Sequence, residues 1–242
     1  MTFSVSKLQL FLQCPKAFYF IYQVGIKVPK SPSLFYGQAI HEGIAAFYQQ
    51  QDPLVAFEKS LLAPSQEKPL NFAWEKYLEE GKLLMETYKT QAPFFDPLVI
   101  EKFETVPLYH PVNREPLPLD FSLKIDLITK DGFIVDHKST SSANPKIDEM
   151  QKLQAVAYTM AYQTLYGHKP EAFVFNFLIK RKRNPRIVPI FFHCTDDDEV
   201  WFFDIAHHVI DLASTDCRLI PPMVKSHYPC PVRNLCSWHG QN

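Results

Sequence analysis

Asp126 and the triplet Asp136-His137-Lys138 lie close together in the segment DLITKDGFIVDHK. Ile125, Ile128, Phe133, Ile134 and Val135 around them are apolar and mostly β-favouring, and Lys130-Asp131-Gly132 suits a hairpin turn. Two strands joined there bring Asp126 and Asp136 together at one edge of a small sheet. Carboxylates that close repel each other unless a cation lies between them, and hard oxygen ligands suit Mg²⁺ or Mn²⁺. A lysine beside such a metal can stabilise charge on a phosphate. On its own, the segment fits an ordinary solvated hairpin equally well.

Two further signals flank it. GQAIHEGI sets His41 one helical turn after Gly37, where an imidazole can supply the nitrogen of a mixed oxygen-nitrogen metal site. QKLQAVAYTMAY sets Gln154 and Tyr158 on one helix face. Taken singly, a helical histidine is more often structural, and the Gln-Tyr pair is a polar helix edge.

The elements that must position these residues can be read from spacing. Ser4 to Tyr22 is helical, with Ser6 a candidate N-cap and Pro15 a break or restart. A helix is predicted from near Tyr36 through GQAIHEGIAAFYQQ, and others over Asp52 to Leu62 and Phe72 to Thr90. From Pro97 to Val135 the pattern is that of strands, and Asp148 to Tyr166 is a helix ended by Gly167. EAFVFNFLI and IVPIFFH follow as strands, then a helix from about Asp197 to Ala213 whose leading aspartates suit its positive dipole end. Such a mix predicts an α/β fold, a sheet with helices on its faces.

Composition narrows the classes. At 242 residues and 46% hydrophobic the chain can bury a sizeable core. A formal charge of -1 gives no global basic field, so any nucleic-acid contact rests on local patches. No window approaches eighteen uninterrupted apolar residues, and MTFSVSKLQLFLQCPKAFYF lacks a basic n-region and cleavage site, which predicts a cytoplasmic protein without membrane contact. Five cysteines in such a chain point to free thiols or a metal rather than disulfides.

Taken in order, Gly-x3-His, Asp, Asp-x-Lys and Gln-x3-Tyr resemble the RecB-like branch of the PD-(D/E)XK nuclease superfamily. SVSKLQLFLQCPKAFYFIY resembles that branch's N-terminal Ser-x-Ser-x-Leu…Cys-Pro segment, so the likeness spans nearly the whole chain. It implies a restriction-endonuclease-like mixed central β-sheet flanked by helices, with an N-terminal helical layer and a Cys-rich C-terminal tail. One nuclease domain over 1–242 is expected, with a helical insertion at about 45–95 and the ends 1–22 and 217–242 packed together. The resemblance implies that Asp126, Asp136, the His137 backbone carbonyl and His41 bind the metal. Lys138 would orient the attacking water and stabilise the pentacovalent phosphate, and Gln154 and Tyr158 would position DNA or active-site groups. Glu101 falls where relatives often carry a supporting glutamate. Leu123 departs from the pattern, since relatives usually have glycine three residues before the first aspartate.

The cysteines extend the likeness. Cys14 precedes Pro15, and HYPCPVRNLCSWHG holds Cys230 and Cys236. In iron-sulfur members of the superfamily, among them CRISPR-associated exonucleases, an N-terminal cysteine and a C-terminal Cys-x2-Cys-x5-Cys hold a 4Fe-4S cluster. Here His227 stands in place of the first tail cysteine. Four outcomes stay open: His227 ligates iron, Cys217 supplies the fourth thiolate, Cys14, Cys230 and Cys236 with His227 or His239 hold Zn²⁺, or the site binds no metal. Cys194 reads as a buried apolar thiol.

Lys180, Arg181, Lys182, Arg183 and Arg186 concentrate charge between two strands, suited to phosphate contact or to a solvated hairpin tip. Phe18, Tyr19, Phe20 and Tyr22 could stack on unpaired bases, or pack within the helices. The expected function is a metal-dependent deoxyribonuclease, an exonuclease on single-stranded DNA or DNA ends in recombination, repair or phage DNA processing, with a helicase or recombination protein as a possible partner. The alternatives are a nuclease-fold scaffold subunit of a helicase-nuclease or CRISPR adaptation complex, and an RNA-directed or structure-specific nuclease.

Overall fold

The computed structural model describes residues 2–63, 74–93, 95–181, 183–217, 220, 230, 232, 235 and 236. A short strand β1 (Phe3–Ser4) leads into α1 (Val5–Gln13), α2 (Pro15–Phe18) and a π-helical turn (Tyr19–Gln23). Ser4, not Ser6, caps α1: its hydroxyl accepts from the Lys7 N–H. The cap falls earlier because Ser4 has the extended backbone that N-capping needs, whereas Ser6 is already helical. Pro15 opens α2, where a missing N–H costs nothing.

Three helices then form a layer: α3 (Pro32–Tyr48), α4 (Pro53–Leu62) and α5 (Trp74–Gln91). α3 begins earlier than the hydrophobic pattern suggested, because Ser31 caps it and Pro32 occupies its first turn. Tyr36, Ile40, Ile44, Phe57, Leu61, Leu84, Met85 and Tyr88 make the core of this layer. Phe57 lies against Gly81, where an added Cβ would come within 1.9 Å of the ring, so only glycine admits that crossing.

β2 (Pro97–Val106), β3 (Phe121–Thr129) and β4 (Phe133–Thr140) follow, then α6 (Glu149–Tyr166), β5 (Ala172–Ile179), β6 (Arg186–Phe192) and α7 (Asp196–Ala213). The sheet runs β1-β3-β4-β5-β6, with β2 also paired to β3. β4 and β5 are parallel, joined by the α6 crossover, and β1 is parallel to β3; the other pairs are antiparallel. A mixed sheet between helices is the architecture the sequence predicted. Asp148 and Gln151 form a capping box at the start of α6, and Gly167 ends it in the left-handed conformation at φ 79°. Thr195 and Asp198 do the same for the start of α7.

β5 is buried along its whole length, as expected of a central strand covered on both faces. Phe173, Phe175 and Phe177 pack towards α6 with Ala155 and Tyr162. Val174 faces the opposite side beneath Tyr48, and Leu178 joins the α3–α5 core. α1, α6 and α7 share a larger core with Phe3, Phe121 and Leu123, into which Phe18 is fully buried. Among the described residues, no helix is long and apolar enough to cross a membrane.

Candidate active site

β3 and β4 pair as a hairpin only at Leu127 with Val135 and Ile128 with Ile134. The next opposed positions are Asp126 and Asp136, and there the strands part. Past the fork, β1 takes over as neighbour of β3, at Phe121 and Ser122. The two carboxylates therefore meet at the mouth of a gap inside the sheet, rather than at an outer edge. Asp126 fills the first unpaired position with its own side chain: the His137 N–H donates to its Oδ2 at 2.9 Å. A backbone donor that the ladder leaves free is satisfied by the carboxylate, which fixes the rotamer.

α3 delivers His41 to the same point. Its Nδ1 lies 3.2 Å from Asp126 Oδ2 and 3.5 Å from Glu101 Oε1. His41, Glu101 and Asp126 each offer a ligand atom within 4.8 Å of the others. Glu101 reaches the site from β2 with φ 46°, a left-handed backbone uncommon for a non-glycine residue. Such strain persists where the surrounding structure overrides it, typically at functional sites. The ammonium of Lys124, on β3, pairs with the other oxygen of Glu101.

Asp136 stands beside this trio with its carboxylate differently engaged. Lys138 Nζ lies 3.1 Å from Oδ1 and 2.9 Å from Oδ2, and Gln154 Nε2 donates to Oδ1 at 2.6 Å. Asp136 Oδ2 and Glu101 Oε2 are shielded from solvent, and their lysine contacts are ion pairs rather than aligned hydrogen bonds. Buried oxygens with spare acceptor capacity beside an imidazole suit a hard divalent cation.

The charges are interlocked. Burial alone would lower the His41 imidazole, but Asp126 and Glu101 reverse this and hold it up at about 10. Burial would raise Asp126, yet His41 and His137 bring it well below the carboxylate range. Asp136 is raised by burial and by Asp126, with Lys138 opposing. Lys138 loses some affinity for its proton through burial and regains more from Asp136, so it stays charged. One carboxylate ionises easily and its neighbour with difficulty, as expected for two in one site.

Beneath the carboxylates runs a hydrogen-bonded chain with no polar pattern in the sequence to announce it. Tyr48 Oη and Tyr88 Oη are 2.9 Å apart, and Tyr88 Oη is 2.9 Å from His137 Nε2. His137 is 2% exposed, and its Nδ1 faces Asp126 Oδ2 at 3.8 Å. If Tyr88 donates to Nε2, the ring proton sits on Nδ1 and points its charge at Asp126. The helical layer thereby holds the imidazole of the middle residue of Asp-x-Lys against Asp126.

The remaining predicted residues fall as follows. The Tyr158 hydroxyl donates to the Lys124 carbonyl at 2.8 Å, closing part of the β3 edge that the fork leaves unpaired. Leu123, the departure from the family pattern, is buried against α6 and α7. Gly37 has open space where a Cβ would stand. In the parallel β4–β5 register Lys138 opposes Phe177 and Thr140 opposes Ile179, so Lys180 begins a loop at the catalytic end of the sheet. Arg181, Arg183 and Arg186 are exposed there, Arg186 holds the Ala143 carbonyl, and Lys180 lies over the Tyr36 ring at 5.1 Å. Lys182 lies outside the described residues. Cys230 and Cys236 lie close enough to Cys14 to push its thiol up, behind the larger effect of burial. Cys217 is buried with its thiol towards Gln23 Oε1 at 3.5 Å, and His227 and His239 lie outside the described residues. Cys194 is only partly buried, because β6 ends before it at Phe192.

Glu101 was the residue least weighted from sequence, and its signal was only its place in the family pattern, where a glutamate is expected before the sheet; the structure sets it on β2, within the sheet. Lys124, Tyr48 and Tyr88 had no signal, since their parts depend on cross-strand register and on helix packing.

Comparison with solved structures gives a fold likeness. A "putative exonuclease" from Eubacterium rectale aligns with TM-score 0.62 at 16% identity, covering 98% of this chain and 93% of that one. The structure of SSO0001 aligns with TM-score 0.44 at 12% identity over 99% of this chain and 87% of that one. No curated protein matches significantly. The family model for the PD-(D/E)XK nuclease superfamily, in contrast, matches residues 2–237. With Asp126, Asp136 and Lys138 gathered at a strand fork and that model spanning nearly its whole length, the chain belongs to the PD-(D/E)XK nuclease superfamily.

Proposed function

We propose that this nuclease hydrolyses phosphodiester bonds in DNA as a Mg²⁺- or Mn²⁺-dependent exonuclease acting on single strands or free ends. One observation carries the reading: Asp126, Asp136 and Lys138 converge where β3 and β4 separate, with His41 and Glu101 completing an oxygen-nitrogen donor set. A divalent cation bound there supplies Lewis-acid polarisation of a phosphoryl oxygen and lowers the pKa of water. His41, Glu101 and Asp126 are its first ligands in this reading, with Asp136 and the His137 carbonyl on the adjoining side. Lys138 keeps its charge and meets the phosphate from the open side of Asp136. Gln154 holds Asp136 in place by its amide. Lys180, Arg181, Arg183 and Arg186 offer sequence-independent phosphate contacts beyond the site.

The electrostatic influence of Cys230 and Cys236 on Cys14 supports a site shared by the two ends of the chain, an iron-sulfur cluster with Zn²⁺ as the alternative. We read Cys14, Cys230 and Cys236 as three ligands of a cluster joining the two ends of one nuclease domain.

The nuclease reading is tested on linear single-stranded, linear duplex, circular and RNA substrates with Mg²⁺ or Mn²⁺. Cleavage confined to DNA with ends, lost with chelator and in Lys138→Ala, is expected. Equal cutting of circles overturns the exonuclease assignment, and absence of any cleavage overturns the whole. Anaerobic purification with iron analysis and a visible spectrum tests the cluster independently, and a colourless, iron-free protein removes it.

A further inference from the structure

Beside the fork lies a cleft of about 420 Å³ that opens onto Lys138 and Gln154. Its floor is the β3 edge at Ser122, Leu123 and Lys124, and one wall is the start of α1. Its other lip carries Phe103, on β2, whose side chain is 75% exposed. An exposed phenyl is out of character on this strand, where the neighbouring Lys102 and Glu104 are the charges that ordinarily guard an open edge. Phe103 is also tied to the site. It opposes Lys124 in the β2–β3 register, and the Lys124 ammonium lies 5.8 Å from its ring centroid while pairing with Glu101.

A ring held at the rim of a cationic cleft can take the face of a nucleobase, with the phosphates running along the lysines. Only an unpaired base has a free face to give, because duplex bases are already covered on both sides by their neighbours. The wall opposite adds hydroxyls from Ser4 and Ser6 and amides from Gln9 and Gln154, groups suited to phosphate and sugar rather than to an apolar partner.

We infer that Phe103 is a stacking platform for an unpaired base of single-stranded DNA next to the phosphate held at Lys138. The inference rests on the proposed nuclease function and assigns its substrate form. Phe103 acts by positioning the strand, and its exposure means that truncation leaves the core intact.

The test is equilibrium binding of the full chain, with chelator present to prevent cleavage, to a short single-stranded oligonucleotide carrying 2-aminopurine and to a blunt duplex of the same sequence. Phe103→Ala should weaken single-strand binding by about 5- to 160-fold, the worth of one base-aromatic stack, and should relieve the fluorescence quenching of the stacked base. Phe103→Trp should bind within roughly twofold of the parent and keep the quenching, since any large ring serves. Blunt-duplex binding should change little in either variant. Unchanged single-strand affinity in Phe103→Ala, or equal losses on both DNAs, overturns the stacking role and leaves the nuclease reading standing. Failure of the parent protein to bind or cleave any DNA overturns both together.

Discussion

Replacing Tyr88 with phenylalanine deletes one oxygen from the interior and breaks the hydrogen-bonded chain that runs from the helical layer to the His137 ring, which lies against Asp126. Tyr88 is fully buried, and its hydroxyl makes two contacts of 2.9 Å, to Tyr48 Oη and His137 Nε2. The two partners pay differently. His137 is 2% exposed and has no access to replacement water, so it bears the full penalty of a buried unpaired group. Tyr48 is only partly buried and can turn to solvent, losing about one ordinary hydrogen bond. At roughly 1–3 kcal/mol for the first and about 0.5–1.5 kcal/mol for the second, Tyr88→Phe should cost about 1.5–4.5 kcal/mol of stability. Tyr48→Phe should cost only about 0.5–1.5 kcal/mol by the same reasoning. Losing the brace on His137 should also weaken Mn²⁺ binding by roughly 10- to 100-fold, as second-layer partners of metal sites do. Urea denaturation in chelator gives the first quantity, and calorimetric titration with Mn²⁺ gives the second. If Tyr88→Phe unfolds within about 0.5 kcal/mol of the parent, the range of a neutral surface change, and binds Mn²⁺ equally well, the chain does not support Asp126.

Gly81→Ala should destabilise the helical layer by about 1–3 kcal/mol or more, seen as a lower thermal midpoint, because its methyl would enter the Phe57 ring and that ring is boxed in. Glu101→Gln should lower stability in chelator, because it removes the carboxylate that pairs with Lys124 and lies 3.5 Å from His41, and should weaken Mn²⁺ binding in the same titration; unchanged binding would show that Glu101 is not a ligand. His41 is raised from 6.5 to about 10 in the metal-free fold, so its pairing contributes stability fully below pH 6.5 and loses that contribution as pH rises towards about 10. A metal needs the neutral imidazole, so Mn²⁺ affinity should climb with pH between about 7 and 9 by up to roughly tenfold per unit, and His41→Ala should flatten the slope. Lys138→Met should lose cleavage yet bind Mn²⁺ at least as tightly as the parent, since the competing ammonium on Asp136 is gone; weaker binding would show that Lys138 holds the carboxylate in its metal-ready position.

What the sequence made legible follows from how local each signal is. The hairpin from Asp126 to Lys138 is nearly self-contained, so β-branched residues, a Gly132 turn and two aspartates were enough to foresee it. Gly167 and the leading aspartates located α6 and α7 in the same way, because a C-cap and a dipole-facing charge act within one turn of chain; the Thr195 cap that starts α7 was not foreseen. His41 could be paired with the hairpin only through the order of motifs, since α3 packs on the sheet across a long stretch of chain. Glu101 was read only as a supporting residue because its reach depends on a positive φ that no residue type announces, and Tyr88 escaped because an aromatic at helical spacing looks like any other core residue. The fork itself was not foreseen: where β4 leaves β3 is decided by β1, a two-residue strand from the other end of the molecule.

Charge pairing at that fork explains how three carboxylates can share a shielded site. Asp126, Asp136 and Glu101 bring three negative charges, and His41, Lys138 and Lys124 answer each with a cation at ion-pair distance. The site is therefore close to neutral before any metal arrives, and burying it does not leave a lone charge in the interior. A divalent cation entering this arrangement brings two excess charges, and the cation that can surrender its own most readily is His41, through its proton. Lys124 and Lys138 remain ammonium ions, so they must keep an anion nearby. With the carboxylates shared by the metal, the anion left for them is a phosphate of the substrate in the adjoining cleft, which both lysines line. In the proposed function, the lysines that offset these carboxylates within the fold are thus the ones that would meet the DNA backbone, and DNA should bind more tightly with Mn²⁺ than with chelator.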